Sequence, residues 1–570
     1  MNFYLTLNGK GQVGYLPFEE LENMPGDIRY MLSCPLPLTA IKVIEDRLGK
    51  RKALTAWAKG LQDNSVNKKI LAVIKGLGWD LPPLEWREIS NYSDVRKRTR
   101  TIDRGNIEIE QAFNKFVLGR QLSAADFQEL SHELKTEKQT LVKLAHANVE
   151  LGYAQWVPSV SRHGQGWQCQ RCGEREVEEW PSLYGNAATC RSCESIGATT
   201  SLEVLYRDQR LLVDEASEVI FQPHWNLTEA QKSASDQVLN FIQDPLSKKA
   251  LLWAACGAGK TEVCFPSAAW ALKQGKTVLF AAPRQDVIHD VAPRIVRDFP
   301  GQPCQVLSGR ALMKFQSGPM VLATTHQVLK FWRAFDVIFL DEMDAFPYRG
   351  NSALEWGLKN ALREGGKILY LTATPSGEGL KAVQNGKLQL IRLPARHHRC
   401  ALPVPKWERT CHSLVPDQNT DVWASQAELL RKEGPVLVFV PKISWIDPWV
   451  KSFQQRFPNW HINGSYSADN NRSAKIGKLQ QGEYDLFVST TILERGITLS
   501  GIQVIVLAAD HPLYDERALV QMAGRVGRTK ECPQGNVIFI SKRKTSSMAT
   551  AIQWIKEQNR LALALGLIDG

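Results

Sequence analysis

The sequence predicts an α/β fold in which two parallel-sheet lobes follow one another along the chain. From about residue 226 the chain alternates short apolar runs with amphipathic stretches, and the runs read ALLWAA, TVLFAA, MVLATT, DVIFLD and KILYLT. After the proline-rich segment PARHHRCALPVPK the same pattern begins again with VLVFVP, YDLFVS, IQVIVLA and NVIFI. Apolar runs of this kind are typical of parallel strands that are buried on both faces. A chain of 570 residues is also too long for one hydrophobic core, which agrees with several domains.

The predicted boundaries divide the chain into four parts. Residues 1–154 form an accessory region that is mixed but mainly helical, with one long helix at about 123–150. Residues 155–200 form a small cysteine-rich module. Residues 201–395 form the first parallel-sheet lobe, and residues 396–570 form the second lobe, which ends in a helix.

Charge and hydropathy narrow the class of protein. The net charge of +11 and the pI near 9.0 favour anionic partners such as nucleic acid, although a solvated basic surface explains the same numbers. No apolar run approaches the roughly 20 residues that span a bilayer, and the N-terminus lacks the pattern of a signal peptide. We therefore expect a cytoplasmic protein, and a membrane-bound partner at the inner face of the membrane stays open.

Four of the eleven cysteines form a quartet with metal-ligand spacing. Seventeen residues separate the pairs Cys169-x2-Cys172 and Cys190-x2-Cys193, which matches a four-thiolate zinc ribbon. An iron–sulfur cluster and a redox pair are the alternatives. Four protein ligands leave no open position, so we expect structural Zn²⁺. The interleaved basic and aromatic residues suggest contacts with DNA, with a structural clip or a protein-docking site as the alternative; they are Trp167, Arg171, Arg175, Trp180 and Arg191.

A glycine-rich loop follows the first apolar run of the first lobe. The segment ACGAGKT precedes an amphipathic stretch, and we expect a helix to begin at its threonine. Backbone N–H groups at a helix N-terminus can surround a phosphate, the lysine can neutralise phosphate oxygens, and the threonine can ligate Mg²⁺. Ala254 stands where this motif has its first glycine, and a simple glycine-rich turn is the alternative. The predicted nucleotide-binding residues are Gly257, Ala258, Gly259, Lys260 and Thr261.

Carboxylates stand at the end of the run DVIFLD. Asp341 can hold Mg²⁺, and Glu342 can orient and deprotonate a water that attacks a phosphate. A solvated acidic loop is the alternative. About thirty residues later the run KILYLT leads to Thr372 and Thr374, whose hydroxyls we expect to couple to the acidic segment through Asp344.

The second lobe carries the string QMAGRVGR. Two arginines three residues apart share one face of a helix, so both can approach one nucleotide, and such guanidinium groups contribute about 10³ to 10⁵ in rate. A basic surface helix is the alternative. We expect a cleft that closes when ATP joins the lysine of one lobe to the arginines of the other. The candidate catalytic residues are Lys260, Asp341, Glu342, Gln521, Arg525 and Arg528.

The order of CGAGKTE, DEMDAFPY, LTATPSG and QMAGRVGR resembles the motifs of superfamily 2 helicases and translocases, which implies two RecA-like lobes. The resemblance also implies that Gln231, four residues after Leu227, reads the adenine. It further implies DNA contacts in the segments that resemble motif Ia, the TTHQ segment and motif V (487–497). The DNA-contact residues implied in this way are Pro283, Arg284, Thr324, Thr325, His326, Thr490 and Thr491.

With the cysteine module in front, the whole arrangement from about Leu118 onward resembles the ComFA family of bacterial competence proteins. The resemblance implies a motor with ATP, Mg²⁺ and Zn²⁺ that draws single-stranded DNA through a membrane channel. The implied protein partners are that channel and a phosphoribosyltransferase-like competence protein. A PriA-like primosomal replication-restart helicase is one alternative, although in that family the cysteines interrupt the motor. A nucleic-acid-binding scaffold with a non-hydrolysing motor is another.

Overall fold

The computed structural model describes residues 2–8, 13–17, 28–32, 35–48, 72, 86–88, 104–164, 166–182, 185–210, 212, 219–309, 314–316, 318–345, 347–412, 414–415, 421–494 and 499–569. Within these ranges no helix is both long and apolar enough to cross a membrane.

The N-terminal part begins with an antiparallel sheet. Its strands are β1 (Asn2–Asn8), β2 (Val13–Pro17), β3 (Ile28–Leu32), β4 (Leu36–Pro37) and β5 (Trp86–Glu88). The strand order is β2-β1-β3-β5, and β4 pairs with the other end of β1. Helix α1 (Leu38–Leu48) follows β4 directly. The prediction of a mixed, mainly helical N-terminal region is confirmed for the described residues, which include four helices as well as this five-stranded sheet.

Three helices follow, α2 (Arg104–Val117), α3 (Ala124–Glu133) and α4 (Lys138–Glu150). The predicted single helix at about 123–150 is wrong, because Lys135 adopts a φ of +50° and breaks it. The N–H of Thr136 donates to the carbonyl of Ser131 at 3.0 Å, which closes the end of α3. Ser123 and Asp126 form a capping box that begins α3.

The cysteine-rich module lies between two strands of one small sheet. In this sheet β13 (Val204–Asp208) pairs with both β6 (Gln121–Leu122) and β7 (Ala154–Pro158). Within the module β8 (Val160–His163) pairs with β9 (Gly166–Cys169). A second sheet contains the module's remaining strands, β10 (Glu178–Ser182), β11 (Gly185–Cys190) and β12 (Thr199–Thr200). The predicted boundary at 200 assigned β13 to the first lobe. In the structure β13 pairs with β6 and β7, so it belongs with the N-terminal part.

The first lobe is a parallel sheet of seven strands with helices between them. The strands are β14 (Lys249–Ala254), β15 (Val278–Ala282), β16 (Cys304–Leu307), β17 (Met320–Thr324), β18 (Phe335–Asp341), β19 (Leu362–Thr372) and β20 (Gln389–Leu393). The helices are α5 (Glu229–Gln243), α6 (Phe265–Lys273), α7 (Gln285–Asp298), α8 (Thr325–Val328), α9 (Ser352–Ala361) and α10 (Gly377–Gln384). The strand order is β16-β17-β15-β18-β19-β14-β20.

The second lobe is a parallel sheet of six strands. The strands are β21 (Lys406–Arg409), β22 (Val436–Phe439), β23 (Ile462–Ser465), β24 (Leu486–Ser489), β25 (Gln503–Leu507) and β26 (Val537–Ser541). The helices are α11 (Asp421–Arg431), α12 (Ile446–Arg456), α13 (Arg472–Gln480), α14 (Glu516–Ala523) and α15 (Ser546–Ala564). The strand order is β21-β26-β25-β22-β24-β23. The prediction of two tandem parallel-sheet α/β lobes is confirmed, and each of the predicted apolar runs contains a strand.

The N-terminal part and the cysteine-rich module share one hydrophobic core with a face of the first lobe. A buried ion pair also joins them, because Lys330 Nζ in the first lobe lies 2.6 Å from Asp126 Oδ1 on α3. The N-terminal part and the module therefore pack against one face of the first lobe's sheet.

Candidate active site

A cleft of about 500 Å³, which we call the interlobe cleft, lies between the two lobes. Its first-lobe wall contains the loops that follow β14 and β18, where parallel sheets commonly bind ligands. Its second-lobe wall contains the segment around the end of α14. The predicted site residues that line it are Gln231, Gly257, Ala258, Gly259, Lys260, Thr261, Asp341, Glu342, Gln521, Arg525 and Arg528. Residues predicted from both halves of the sequence therefore meet at one cleft.

The phosphate loop depends on two glycines. Gly257 and Gly259 both have a φ of +78°, a conformation that other residues rarely adopt. A Cβ at Gly259 would lie 2.6 Å from Nε2 of Gln231, so a side chain there would displace the glutamine. The following helix differs from the expectation, because a 3₁₀ turn (Glu262–Cys264) comes first and α6 begins only at Phe265. The compact loop leaves its backbone open to the cleft.

Lys260, Thr261 and Asp341 contact one another at the end of β18. Lys260 Nζ lies 2.9 Å from Asp341 Oδ1, and the Thr261 hydroxyl donates to Asp341 Oδ2 at 3.2 Å. Burial lowers the pKa of Lys260, but the nearby carboxylates of Asp341 and Glu342 outweigh it, so the net pKa is raised and the ammonium stays charged. Hydroxyl and carboxylate oxygens are ligands that Mg²⁺ prefers, so this pair of residues fits that ion.

Glu342 has an unusual backbone and a buried carboxylate. Its φ is +53°, in the left-handed region, and only 8% of its surface is exposed. Its N–H donates to Asp341 Oδ1 at 2.7 Å, while its own Oε2 is buried without a hydrogen-bond partner. Backbone strain of this kind is common at functional sites. A carboxylate oxygen with an unused acceptor position, facing a cleft, suits a group that binds and orients a water.

Asp344 links the acidic segment to the loop after β19. The hydroxyls of Thr372 and Thr374 donate to Asp344 Oδ1 and Oδ2, both at 2.6 Å. The N–H of Thr374 donates to the Thr372 hydroxyl at 2.9 Å. All three side chains are buried. The structure therefore brings together the three residues that were predicted to couple these segments.

The arginines of the second lobe do not lie on a helix. Helix α14 ends at Ala523 with Gly524 as its C-cap, so Arg525 and Arg528 lie in the turn that follows. The prediction that they share a helical face is wrong, because the helix ends at its C-cap, Gly524, before either arginine. Burial lowers the pKa of both guanidinium groups, and the charge of Arg528 lowers the pKa of Arg525 further. Because the two guanidinium groups repel each other, an anion that binds between them would be favoured.

Gln231 and Gln521 contact the phosphate loop from opposite lobes. Gln231 Nε2 donates to the carbonyl of Ala258 at 2.9 Å, and its Oε1 accepts from the N–H of Thr228 at 3.0 Å. The Cys256 thiol lies 3.6 Å from Gln521 Oε1. Trp225, which the sequence analysis missed, lies in the same cleft with 42% of its surface exposed. An aromatic residue shortly before the leucine–threonine segment was the available signal.

The residues predicted to contact DNA lie at the carboxyl ends of three strands. Pro283 and Arg284 follow β15, Thr324 ends β17, and Thr325 and His326 begin α8. Because β15 and β17 are parallel neighbours, these segments meet at one edge of the first sheet.

The side chains at this edge differ in exposure. Thr324 and Thr325 are both buried, so little of either side chain reaches the surface. Burial also lowers the pKa of His326, which keeps its ring mostly neutral at neutral pH. Thr490 and Thr491 are half-buried after β24, and the last residues of the predicted motif V segment, 495–497, lie outside the described residues. The role of this edge in DNA binding stays a prediction.

The cysteine quartet has the geometry of a tetrahedral metal site. The four sulfur atoms lie within 4.8 Å of one another and are buried. Cys169 Sγ and Cys193 Sγ are 3.9 Å apart, and Cys172 Sγ and Cys190 Sγ are 3.5 Å apart. Tetrahedral Zn–S bonds of about 2.3 Å would separate sulfurs by about 3.8 Å. A disulfide needs about 2.05 Å, so these spacings fit Zn²⁺ and not oxidised cysteine pairs.

The basic and aromatic residues of this module are only partly available to DNA. Arg171 and Trp167 are buried, contrary to the suggestion that they contact nucleic acid. The Arg171 guanidinium donates to Cys193 Sγ at 3.3 Å and to the carbonyl of Gly197. Its positive charge lies beside the thiolates that a zinc site requires. Arg175 and Arg191 are exposed, but Arg191 forms an ion pair with Glu178.

Two family models match the chain. The model described as type III restriction enzyme, res subunit, matches residues 224–377, and the helicase conserved C-terminal domain matches residues 422–530. Each matched range lies within one of the two lobes that form the interlobe cleft.

Two curated relatives match over most of their length. Competence protein ComFA of Bacillus subtilis (strain 168) is 34% identical over 452 residues, which is 77% of this chain and 95% of that protein. Competence protein ComFA of Streptococcus pneumoniae (strain ATCC BAA-255 / R6) is 33% identical over 416 residues, which is 72% of this chain and 94% of that protein. A transcription-repair-coupling factor of Staphylococcus aureus (strain USA300) is 24% identical over 360 residues, but these cover only 29% of it.

Proposed function

Because this chain belongs to the ComFA family of competence proteins, we propose that it couples ATP hydrolysis to movement along single-stranded DNA during DNA uptake. The helicase-type domains make it an ATP-dependent nucleic-acid motor of superfamily 2. One observation carries the proposal of hydrolysis. Lys260 and the acidic residues of the first lobe line the same cleft as Arg525 and Arg528 of the second lobe.

Binding of ATP would rearrange the contacts around Asp341. The backbone N–H groups of the phosphate loop would surround the phosphates, and the Lys260 ammonium would leave Asp341 to neutralise phosphate oxygens. Thr261 and Asp341 would then hold Mg²⁺, which supplies further neutralisation of the phosphate charge. Gln231 lies beside the loop, where it can hold the adenine edge of the nucleotide.

Hydrolysis would use groups from both lobes. Glu342 would orient the attacking water and accept its proton through the carboxylate oxygen that has no other partner. Arg525 and Arg528 would stabilise the charge that develops on the transferred phosphoryl group. The hydrogen bonds of Thr372 and Thr374 to Asp344 would transmit the state of the acidic segment to the loop after β19.

Movement along DNA would follow from opening and closing of the interlobe cleft. The segments at the ends of β15, β17 and β24 would hold the backbone of the strand, so each cycle would shift one lobe's grip relative to the other. Contacts made only to the backbone would make this movement insensitive to base sequence.

Steady-state ATPase assays with and without single-stranded DNA test the proposal. Lys260→Ala and Glu342→Gln should each lower DNA-stimulated kcat by about 100-fold or more. Lys260→Ala removes a charge that stabilises the phosphates, and Glu342→Gln removes the general base. Glu342→Gln should still bind nucleotide, since the phosphate loop is unchanged. Lys273→Ala and Glu378→Gln, at exposed positions outside the cleft, are the matched controls.

Near-normal turnover in Glu342→Gln would contradict the assignment of the base. A wild-type chain that binds single-stranded DNA but hydrolyses no ATP would instead support a non-hydrolysing scaffold. The two outcomes are separated because DNA binding is measured independently by fluorescence anisotropy of a labelled oligonucleotide.

The resemblance also suggests where the motor acts. We propose that it works at the cytoplasmic mouth of a DNA channel, together with a phosphoribosyltransferase-like competence protein. Uptake of fluorescently labelled DNA should fall in cells whose chain carries Lys260→Ala and should recover with the wild-type chain. Unchanged uptake in the variant would contradict a role in DNA import.

A further inference from the structure

Arg396 lies at the junction of the two lobes, just after β20, and no sequence motif pointed to it. Only 1% of its surface is exposed. Its Nε donates to the carbonyl oxygen of Cys256, in the phosphate loop, at 2.7 Å. Its two Nη atoms donate to three carbonyls of the turn after α14. These acceptors are Gly524 at 3.1 Å, Val526 at 2.7 Å and Gly527 at 2.5 Å.

We call these four hydrogen bonds the arginine clasp. The clasp crosses the interface between the lobes, because Cys256 belongs to the first and the other three acceptors belong to the second. The turn that accepts these bonds also carries Arg525 and Arg528. Arg528 Nε donates to the carbonyl of Gly524 at 2.9 Å, so this catalytic candidate shares an acceptor with the clasp.

The glycines of the turn make room for this arrangement. A Cβ at Gly524 would lie 2.5 Å from the Cβ of Cys256, so any side chain there would push the turn away from the phosphate loop. Gly527 has a φ of +66°, and a Cβ on it would lie 2.4 Å from the carbonyl oxygen of Pro533 and 3.1 Å from Arg396 Nη1. Close approach to the loop and to Arg396 therefore explains both glycines.

The chemistry of the clasp requires an arginine. Among the residues that the structure describes, no carboxylate is close enough to Arg396 to support its charge, so carbonyl dipoles hold it. Burial and the charge of Arg528 lower the pKa of Arg396 to about 10, and it remains charged at neutral pH. A guanidinium presents several N–H donors in one plane, whereas a lysine offers a point charge that cannot span acceptors on two sides.

We propose that Arg396 is a positioning residue that holds the turn of Arg525 and Arg528 against the phosphate loop when the interlobe cleft is closed. The inference rests on the proposed ATP hydrolysis, because Arg396 acts through those arginines and does not line the cleft itself. Opening of the cleft must break the bond to Cys256 or the bonds to the turn. The clasp therefore forms and breaks with each cycle.

Steady-state ATPase kinetics of Arg396→Ala, Arg396→Lys and Arg399→Ala test the proposal. Misplacement of catalytic groups by about 1 Å can cost about 100-fold in rate, so Arg396→Ala should lower kcat on this scale. The affinity for a fluorescent ADP analogue should change little, because the loop that binds phosphates remains. Arg396→Lys should have an intermediate kcat. Arg399, an exposed residue of the same segment that binds the carbonyl of Gly566, is the matched control and should behave like wild type.

Wild-type kcat in a folded Arg396→Ala variant would overturn the inference. If that variant does not fold, Arg396→Lys decides in its place. A folded lysine variant with reduced kcat and normal ADP affinity supports the inference, and one with wild-type kcat overturns it. Unfolding of both variants gives Arg396 a structural role only and also overturns it. Failure of the proposed function is distinguishable, because the wild-type chain would then show no ATPase activity.

Discussion

Trp225 shows how one side chain outside the motifs can contribute to a binding site. Its indole lies in the interlobe cleft with Gln231, and the guanidinium of Arg297 lies 4.2 Å from the ring centroid. Beside this cation 42% of the surface of Trp225 stays exposed, so the indole offers area on which a base can stack. Stacking of a base on an aromatic side chain is worth about 1 to 3 kcal/mol. We infer that the adenine stacks on Trp225 while its polar edge meets Gln231.

Replacing Trp225 with alanine should weaken ATP binding without stopping the chemistry. The KM for ATP should rise about tenfold, because about 1.4 kcal/mol of stacking is lost. The kcat should change much less, since the phosphates and the catalytic residues are unaffected. Trp225→Phe keeps an aromatic ring and serves as the control. An unchanged KM in Trp225→Ala, measured by ATPase titration, would contradict the stacking role.

At the scale of elements, the central strands were predictable and the edge strands were not. Within the two lobes, the four strands that the sequence analysis missed are β16 and β20 at the ends of the first sheet and β21 and β23 at the ends of the second. Central strands are buried on both faces and read as continuous apolar runs. The edge strands are mostly only partly buried, so their residues carry no such run.

Some residues of the site were predictable from their neighbours in the sequence, and others were not. Lys260, Asp341 and Glu342 stand at strand ends within local motifs, so their sequence context placed them at one edge of the sheet. Arg396 gains its position from contacts with residues distant in the chain and has no local pattern, and the only local signal for Trp225 was its place just before the leucine–threonine segment. The spacing of Arg525 and Arg528 predicted a shared helical face, but α14 ends at its C-cap, Gly524, before both arginines.

Helix α9 packs between the cysteine-rich module and the end of α8. A Cβ on Gly173, which follows the first cysteine pair, would lie 2.4 Å from the ring of Trp356 on α9. A Cβ on Gly357, the next residue of α9, would lie 2.3 Å from the side chain of Leu329. These close contacts make α9 one element that joins the module to the segment predicted to contact DNA.

Gly173→Ala should loosen the packing of the module on α9. Both Gly173 and Gly164 have a positive φ, +77° and +62°, so alanine strains the backbone at each. Of the two, only Gly173 has a close neighbour. Overpacking should therefore lower the free energy of unfolding of Gly173→Ala by about 1 to 3 kcal/mol more than that of Gly164→Ala. Hydrogen exchange followed by mass spectrometry should then rise over 352–361 in Gly173→Ala alone. Equal exchange in the two variants would contradict this contact.

At the scale of the whole molecule, the two lobes differ in how they are supported. The first lobe shares a core with the N-terminal part and the cysteine-rich module, the second has a core cluster of its own strands and helices, and a further cluster contains residues of both lobes. Ion pairs such as Arg472 with Asp286 and Arg349 with Asp515 also join the lobes. They are partly exposed, and such pairs contribute only about 0 to 1 kcal/mol each. These ion pairs therefore add little to the contact between the lobes, whereas the shared core predicts that the first lobe and the module move together as one body.

Replacement of Cys172, one of the four cysteines whose geometry fits a zinc site, should reveal that body. The serine variant should lose bound zinc, measured by metal analysis, because a four-thiolate site without one thiolate binds it weakly. The shared core predicts that hydrogen-exchange protection then falls in residues 104–210 and also in α8 and α9 of the first lobe. Strands β22 to β26 of the second lobe should keep their protection. Cys411→Ser, at an exposed position outside the quartet, is the control and should change neither zinc content nor exchange. Loss of protection confined to the module, or spread equally over both lobes, would contradict a shared body of module and first lobe.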